Sequence, residues 1–140
     1  MAEKTFNQEF DGYWREPNKA SIPSSSGVYC VYECTHNVEA KTVSIHKLIY
    51  IGESADVNGR IANHEKLDDW KEHVRQGKIL CYSFTPVEDR YRARVEAAFI
   101  NHHKPVVNTE YVDDFPFDKT TVNSKGKITK IDDTFIVQPD

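Results

Sequence analysis

At 140 residues the chain has room for one hydrophobic core and not for two. Hydrophobic residues at 39% and charged residues at 29% place it among globular rather than disordered proteins, and no run of about 18 apolar residues exists to span a membrane. The formal net charge of −4 argues against bulk electrostatic binding to nucleic acid, although residues 41–108 hold 11 basic and 9 acidic side chains and the acidic excess sits at the two ends.

The opening residues, MAEKTFNQEFDGYW, lack the apolar stretch of a secretory signal. Residues 1–26 read as mixed polar, with Tyr13 and Trp14 as anchors and Pro17, Pro23 and Ser24-Ser25-Ser26 marking loop. GVYCVYEC (27–34) alternates and is rich in Val and Tyr, which predicts a strand. Polar residues 35–41 turn the chain, and VSIHKLIYIG (43–52) predicts a second strand paired with the first as an antiparallel hairpin. A helix is expected over residues 56–76, stopped by Gly77. Its helical period puts Val57, Arg60, Ile61, His64, Leu67, Lys71 and Val74 on one broad face. KILCYSF (78–84) predicts a third strand. Thr85-Pro86-Val87-Glu88 has the form of a helix start, and that second helix should run to about His103 and stop before Pro105. Beyond Asn108 the chain is acidic and aromatic, then offers a hairpin in TTVNSKGKIT with its turn at residues 123–126.

These elements describe one domain of α/β composition and α+β type. A small, mostly antiparallel three-stranded sheet is flanked by helices, in a β-β-α-β-α core over residues 22–108. Residues 1–21 extend it at the N-terminus and 109–140 form an acidic tail. Cys30, Cys34 and Cys81 cannot all pair within the chain, and no second Cys or His pair follows at zinc-finger spacing. The expected state is buried reduced thiols in a cytoplasmic protein.

GVY at 27–29 and YIG at 50–52 resemble the two halves of the signature of the GIY-YIG endonuclease superfamily. Arg60-x-x-x-His64, Glu96 and Asn108 in HHKPVVN follow in the order that family members share. The resemblance covers residues 22–108 and implies a nuclease that breaks one nucleic-acid strand, expected to be DNA, with a single divalent metal, Mg²⁺ or Mn²⁺. Each residue then acquires an expected part. Glu96, the lone carboxylate of the set, suits a Mg²⁺ ion that keeps much of its hydration. Arg60 offers a permanent planar charge to the scissile phosphate. Tyr29 and Tyr50 orient a water or accept its proton, Tyr29 being favoured as the base. His64 holds or relays a tyrosine proton. Asn108 pins the backbone of the site or contacts a phosphate. Arg92 and Arg94 beside Glu96 are candidates to track the nucleic-acid backbone.

Taken singly, every one of these residues has an ordinary packing or surface role; Glu96, for instance, could pair with Arg92 one helical turn away. His102 and His103 read as partners of a helix C-terminus and not as a metal pair. The sequence also departs from the family. Glu53 stands where many members have a lysine after YIG, and residues 30–49 enlarge the hairpin into a tip suited to touching flanking DNA or a partner. No separate DNA-binding domain is present in the chain. Target choice is thus left to loops, the tail, a homodimer or another subunit. The competing expectation is a non-catalytic nucleic-acid-binding or protein-interaction module on the same fold.

Overall fold

Every residue from Gly27 to Cys34 is buried, as expected of a strand covered on both faces. The computed structural model describes residues 2–140. In it this segment begins β2 (Gly27–Asn37), which pairs antiparallel with β3 (Thr42–Ser54) on one side and β4 (Ile79–Pro86) on the other. These are the three strands read from the sequence. They are half of a larger sheet.

The polar N-terminal stretch forms β1 (Lys4–Arg15), antiparallel to β4 and parallel to β5 (Thr120–Gly126), and β5 pairs antiparallel with β6 (Thr134–Val137). The sheet thus has six strands in the order β3-β2-β4-β1-β5-β6, which corrects the three-stranded expectation. Along β1 the buried positions are Phe6, Gln8 and Phe10. Gln8 is tolerated there because its amide donates to Thr85 Oγ1 at 2.8 Å and to the Pro86 carbonyl at 2.9 Å. The tail hairpin exists, but its connection is residues 127–133; the expected turn at 123–126 is the end of β5.

Neither helix takes its expected bounds. Residues 56–76 divide into α1 (Val57–Ala62) and α2 (Leu67–Glu72). Asp56 caps α1 by accepting from the Gly59 amide, and Asn63 leaves helical geometry with φ −138° and ψ 59°. Thr85 and Pro86 complete β4 and do not start a helix, because Thr85 pairs with Val28 and the Val87 amide donates to the Ser26 carbonyl. A 3-10 turn at Asp89–Tyr91 leads into α3 (Arg92–His103), which stops two residues before Pro105 as Lys104 turns left-handed at φ 48°.

Successive residues of β2 serve two cores. Tyr29 and Val31 pack with Val57 and Ile61 of α1, Trp70 of α2 and Tyr82 of β4. Val28, Cys30 and Tyr32 pack with Val95, Ala98 and Phe99 of α3 and with Phe115 and Phe135 of the tail. Edge strand β3 is therefore the seam where the two helical layers meet.

Cys34 and Cys81, on neighbouring strands β2 and β4, are joined by a disulfide with Cα atoms 6.3 Å apart, and Cys30 alone is a free buried thiol. This corrects the expectation of three reduced thiols. No helix among the described residues is long and apolar enough to cross a membrane.

Candidate active site

Gly52 lies opposite Tyr29 in the β2–β3 register, and a Cβ at that position would stand 2.3 Å from the Tyr29 hydroxyl. Only glycine lets the phenol lie across β3. The Tyr29 ring is 1% exposed, and its hydroxyl meets His64 Nε2 at 2.7 Å. The helix break after Asn63 makes this meeting possible. His64 leaves α1, the Lys66 amide donates to its Nδ1 at 3.1 Å, and Trp70 packs against it with ring centroids 4.3 Å apart and the rings tilted by 42°. Because Nδ1 accepts, the neutral ring carries its proton on Nε2 and donates to the Tyr29 oxygen. Burial, then the positive charge of Arg60, lowers the His64 pKa to about 4, so the ring is neutral at pH 7.

Tyr50 completes an aromatic group, with centroids 6.3 Å from Tyr29, 5.6 Å from His64 and 5.4 Å from Trp70. Burial, then the nearby Glu96, pushes its phenol up to about 12, against a lowering by Arg60. Tyr29 is driven further up, by burial first and then by Tyr50, again opposed by Arg60. Both phenols are held protonated, and Arg60 is the cation that favours their ionisation.

Glu96 reaches the seam from α3 and is half-buried. A cleft of 190 Å³ is lined by Glu96, Tyr50, Lys66, Asn108 and Glu110. Larger clefts lie elsewhere on the molecule and are not lined by Tyr29 or Tyr50. Burial, then Glu53 and Glu110, raises the Glu96 pKa to about 8. A half-buried carboxylate crowded by two others is a hard oxygen donor set whose repulsion a divalent cation would relieve, so these residues fit Mg²⁺ or Mn²⁺. Asn108 does not face the cleft as a free amide. Its Oδ1 accepts from the Ile51 amide and its Nδ2 donates to the Ile51 carbonyl, both at 2.9 Å, while the Val107 amide donates to Ile49. Asn108 therefore pins the outer edge of β3 between Tyr50 and Gly52.

The arginines separate. Arg60 is gripped by Glu65 through two hydrogen bonds of 2.5 and 2.7 Å. Arg92 bonds Glu53 at 2.9 Å and also pairs with Asp89, not with Glu96. Arg94 is 5% exposed; its guanidinium holds Thr120 Oγ1 at 2.9 Å and the carbonyls of Ala2, Asp118 and Lys119. Arg94 fastens the tail to α3 and cannot track nucleic acid, contrary to expectation. His102, His103 and Asp132 bring metal-type ligand atoms within 4.8 Å of one another. Yet His103 donates through Nδ1 to the Phe99 carbonyl and accepts the Asp132 amide on Nε2, so both its nitrogens serve the helix–tail junction. Glu65, Lys66 and Glu110 were not anticipated. The first two sit in the helix break, and the Asn63-His64 pair, able to compete for backbone groups, is the signal that could have revealed it.

The family profile of the GIY-YIG catalytic domain matches residues 28–111, more than half of the chain, and this span contains Tyr29, Tyr50, Arg60, His64, Glu96 and Asn108. Compared with curated proteins and with solved structures, the chain gives no significant match. The signature tyrosines, the order of the residues around them and the matched span agree: this chain belongs to the GIY-YIG catalytic-domain family, a family of nucleases.

Proposed function

We propose that the protein is a metal-dependent endonuclease that hydrolyses DNA phosphodiester bonds at the β3 seam. The observation that carries this reading is the Tyr29–His64 hydrogen bond of 2.7 Å inside a core that also holds Tyr50 beside the Glu96 cleft. In hydrolysis a water must be aligned with the leaving oxygen while charge on the phosphorus oxygens is neutralised. His64 Nε2–H occupies one lone pair of the Tyr29 oxygen, which fixes the phenol and leaves its own proton directed away from the imidazole. Such a phenol aligns a water, and accepts its proton only as a phenolate, after positive charge has lowered its pKa and its own proton has passed to solvent; Arg60 acts in that direction. Tyr50 lines the Glu96 cleft, with its ring centroid 6.3 Å from that of Tyr29. Glu96, with Glu53 and Glu110 beside it, would hold Mg²⁺ or Mn²⁺, which supplies positive charge for the phosphate oxygens when bound. Asn108 acts as a positioning residue through Ile51.

The test is nicking of supercoiled plasmid. Mg²⁺-dependent nicking is expected from the wild type and is expected to fall by at least about 10³-fold in Glu96→Gln and in Arg60→Ala. Wild-type rates in Glu96→Gln would refute the reading. The grip of Glu65 on Arg60, and Glu53 in place of a lysine, favour a second reading as a non-catalytic binding module; it predicts DNA binding without metal-dependent nicking.

A further inference from the structure

At the far end of the β2–β3 hairpin from Tyr29 lies a cleft of 680 Å³ built from three separate parts of the chain. The end of β1 contributes Tyr13 and Arg15, the hairpin tip contributes His36 and Lys41, and Lys127 follows β5. Among the described residues no acidic side chain lines it, although the molecule carries a net charge of −4. Among the described residues, none of Arg15, Lys41 and Lys127 forms an ion pair. By contrast Arg60, Arg75, Arg90 and Arg92 are all paired with carboxylates. Unpaired cations gathered without an acid, in a cleft open to solvent, mark a seat for a polyanion.

The nuclease reading above selects DNA among polyanions. From the Tyr29–Gly52 pair to the His36–Val43 pair the hairpin advances seven residues, about 23 Å at the rise of an extended strand. With about 3.4 Å between base pairs, that distance corresponds to roughly seven base pairs of duplex. We propose that the Arg15–Lys41–Lys127 cleft is a second seat for the phosphodiester backbone of a DNA substrate, holding the duplex about seven base pairs from the bond that is cut. The proposal rests on the nuclease reading above.

Binding is measured without metal, by anisotropy of labelled duplexes of about 8 and 24 base pairs at several salt concentrations, for the wild type, Lys127→Gln and the triple variant Arg15→Gln/Lys41→Gln/Lys127→Gln. Each lost phosphate contact should flatten the slope of log affinity against log salt by about 0.9, so the long duplex should lose about 1 from the slope in the single variant and 2–3 in the triple variant. The short duplex just spans the two seats, so its slope should flatten in the same direction; melting temperatures equal to that of the wild type report that the variants are folded. An unchanged slope on the long duplex, in a wild type that binds and nicks, overturns the second seat alone. A wild type that binds neither duplex overturns it together with the nuclease reading.

Discussion

Two residues decide how the candidate site is poised. His64 is neutral because burial in the Tyr29–Tyr50–Trp70 group opposes its charge, and its pKa of about 4 lies below the ordinary 6.5. A depressed histidine contributes stability that is complete above about pH 6.5 and is lost as pH falls towards 4, since the unfolded chain binds the proton first. Thermal melts should therefore show a decline over that window which His64→Gln lacks. A decline identical in both proteins would contradict the assignment. Glu65 is the second such residue. Its carboxylate, held ionised by Arg60 with a pKa lowered to about 2, sits on the guanidinium that a phosphate would need. Displacing it from an exposed pair costs little. Glu65→Gln should bind a short duplex about 2- to 5-fold more tightly in the absence of metal. Weaker binding would instead make Glu65 the residue that orients Arg60.

At the scale of elements, the site depends on an edge strand that is not left open. Asn108 supplies β3 with the two hydrogen bonds a neighbouring strand would give at Ile51. Asn108→Ala should cost about 1–3 kcal/mol and remove hydrogen-exchange protection from the Ile51 amide before that of neighbouring β2 amides. Retained protection at Ile51 would contradict the pinning role. The elements also show where a single sequence is readable. β2, β3 and β4 announce themselves through Val, Ile and Tyr, and α3 through its stop at Pro105. β1 does not, because one of its inward residues is Gln8, whose partner Thr85 lies 77 positions away. The continuous helix over 56–76 fits the apolar period, yet the local bond from the Lys66 amide to His64 Nδ1 ends it early. Thr85-Pro86 carries the composition of a helix start, but pairing with Val28 holds it in the sheet.

For the whole molecule, chemistry is assembled from both sides of one sheet. Arg60 and His64 come with the layer that packs on Tyr29, Glu96 comes with the layer that packs on Cys30, and edge strand β3 presents Tyr50 between them. Side chains so distant in sequence could be matched to a family order before their meeting could be seen. That order placed Tyr29, Tyr50, His64 and Glu96 together, but it gave no sign that Arg94 is consumed by the tail carbonyls or that Arg60 is held by Glu65, since both depend on packing across the fold. The six-stranded extent of the sheet was hidden for the same reason: β5 lies beside β1, at opposite ends of the chain. The most direct measurement is the single-turnover rate of plasmid nicking by Tyr29→Phe beside the wild type, with melting temperatures recorded for both. Phe keeps the buried ring and removes one oxygen. A fall of at least about 10²-fold with little change in melting is predicted, whereas nicking at the wild-type rate would show that the Tyr29 hydroxyl serves only the core.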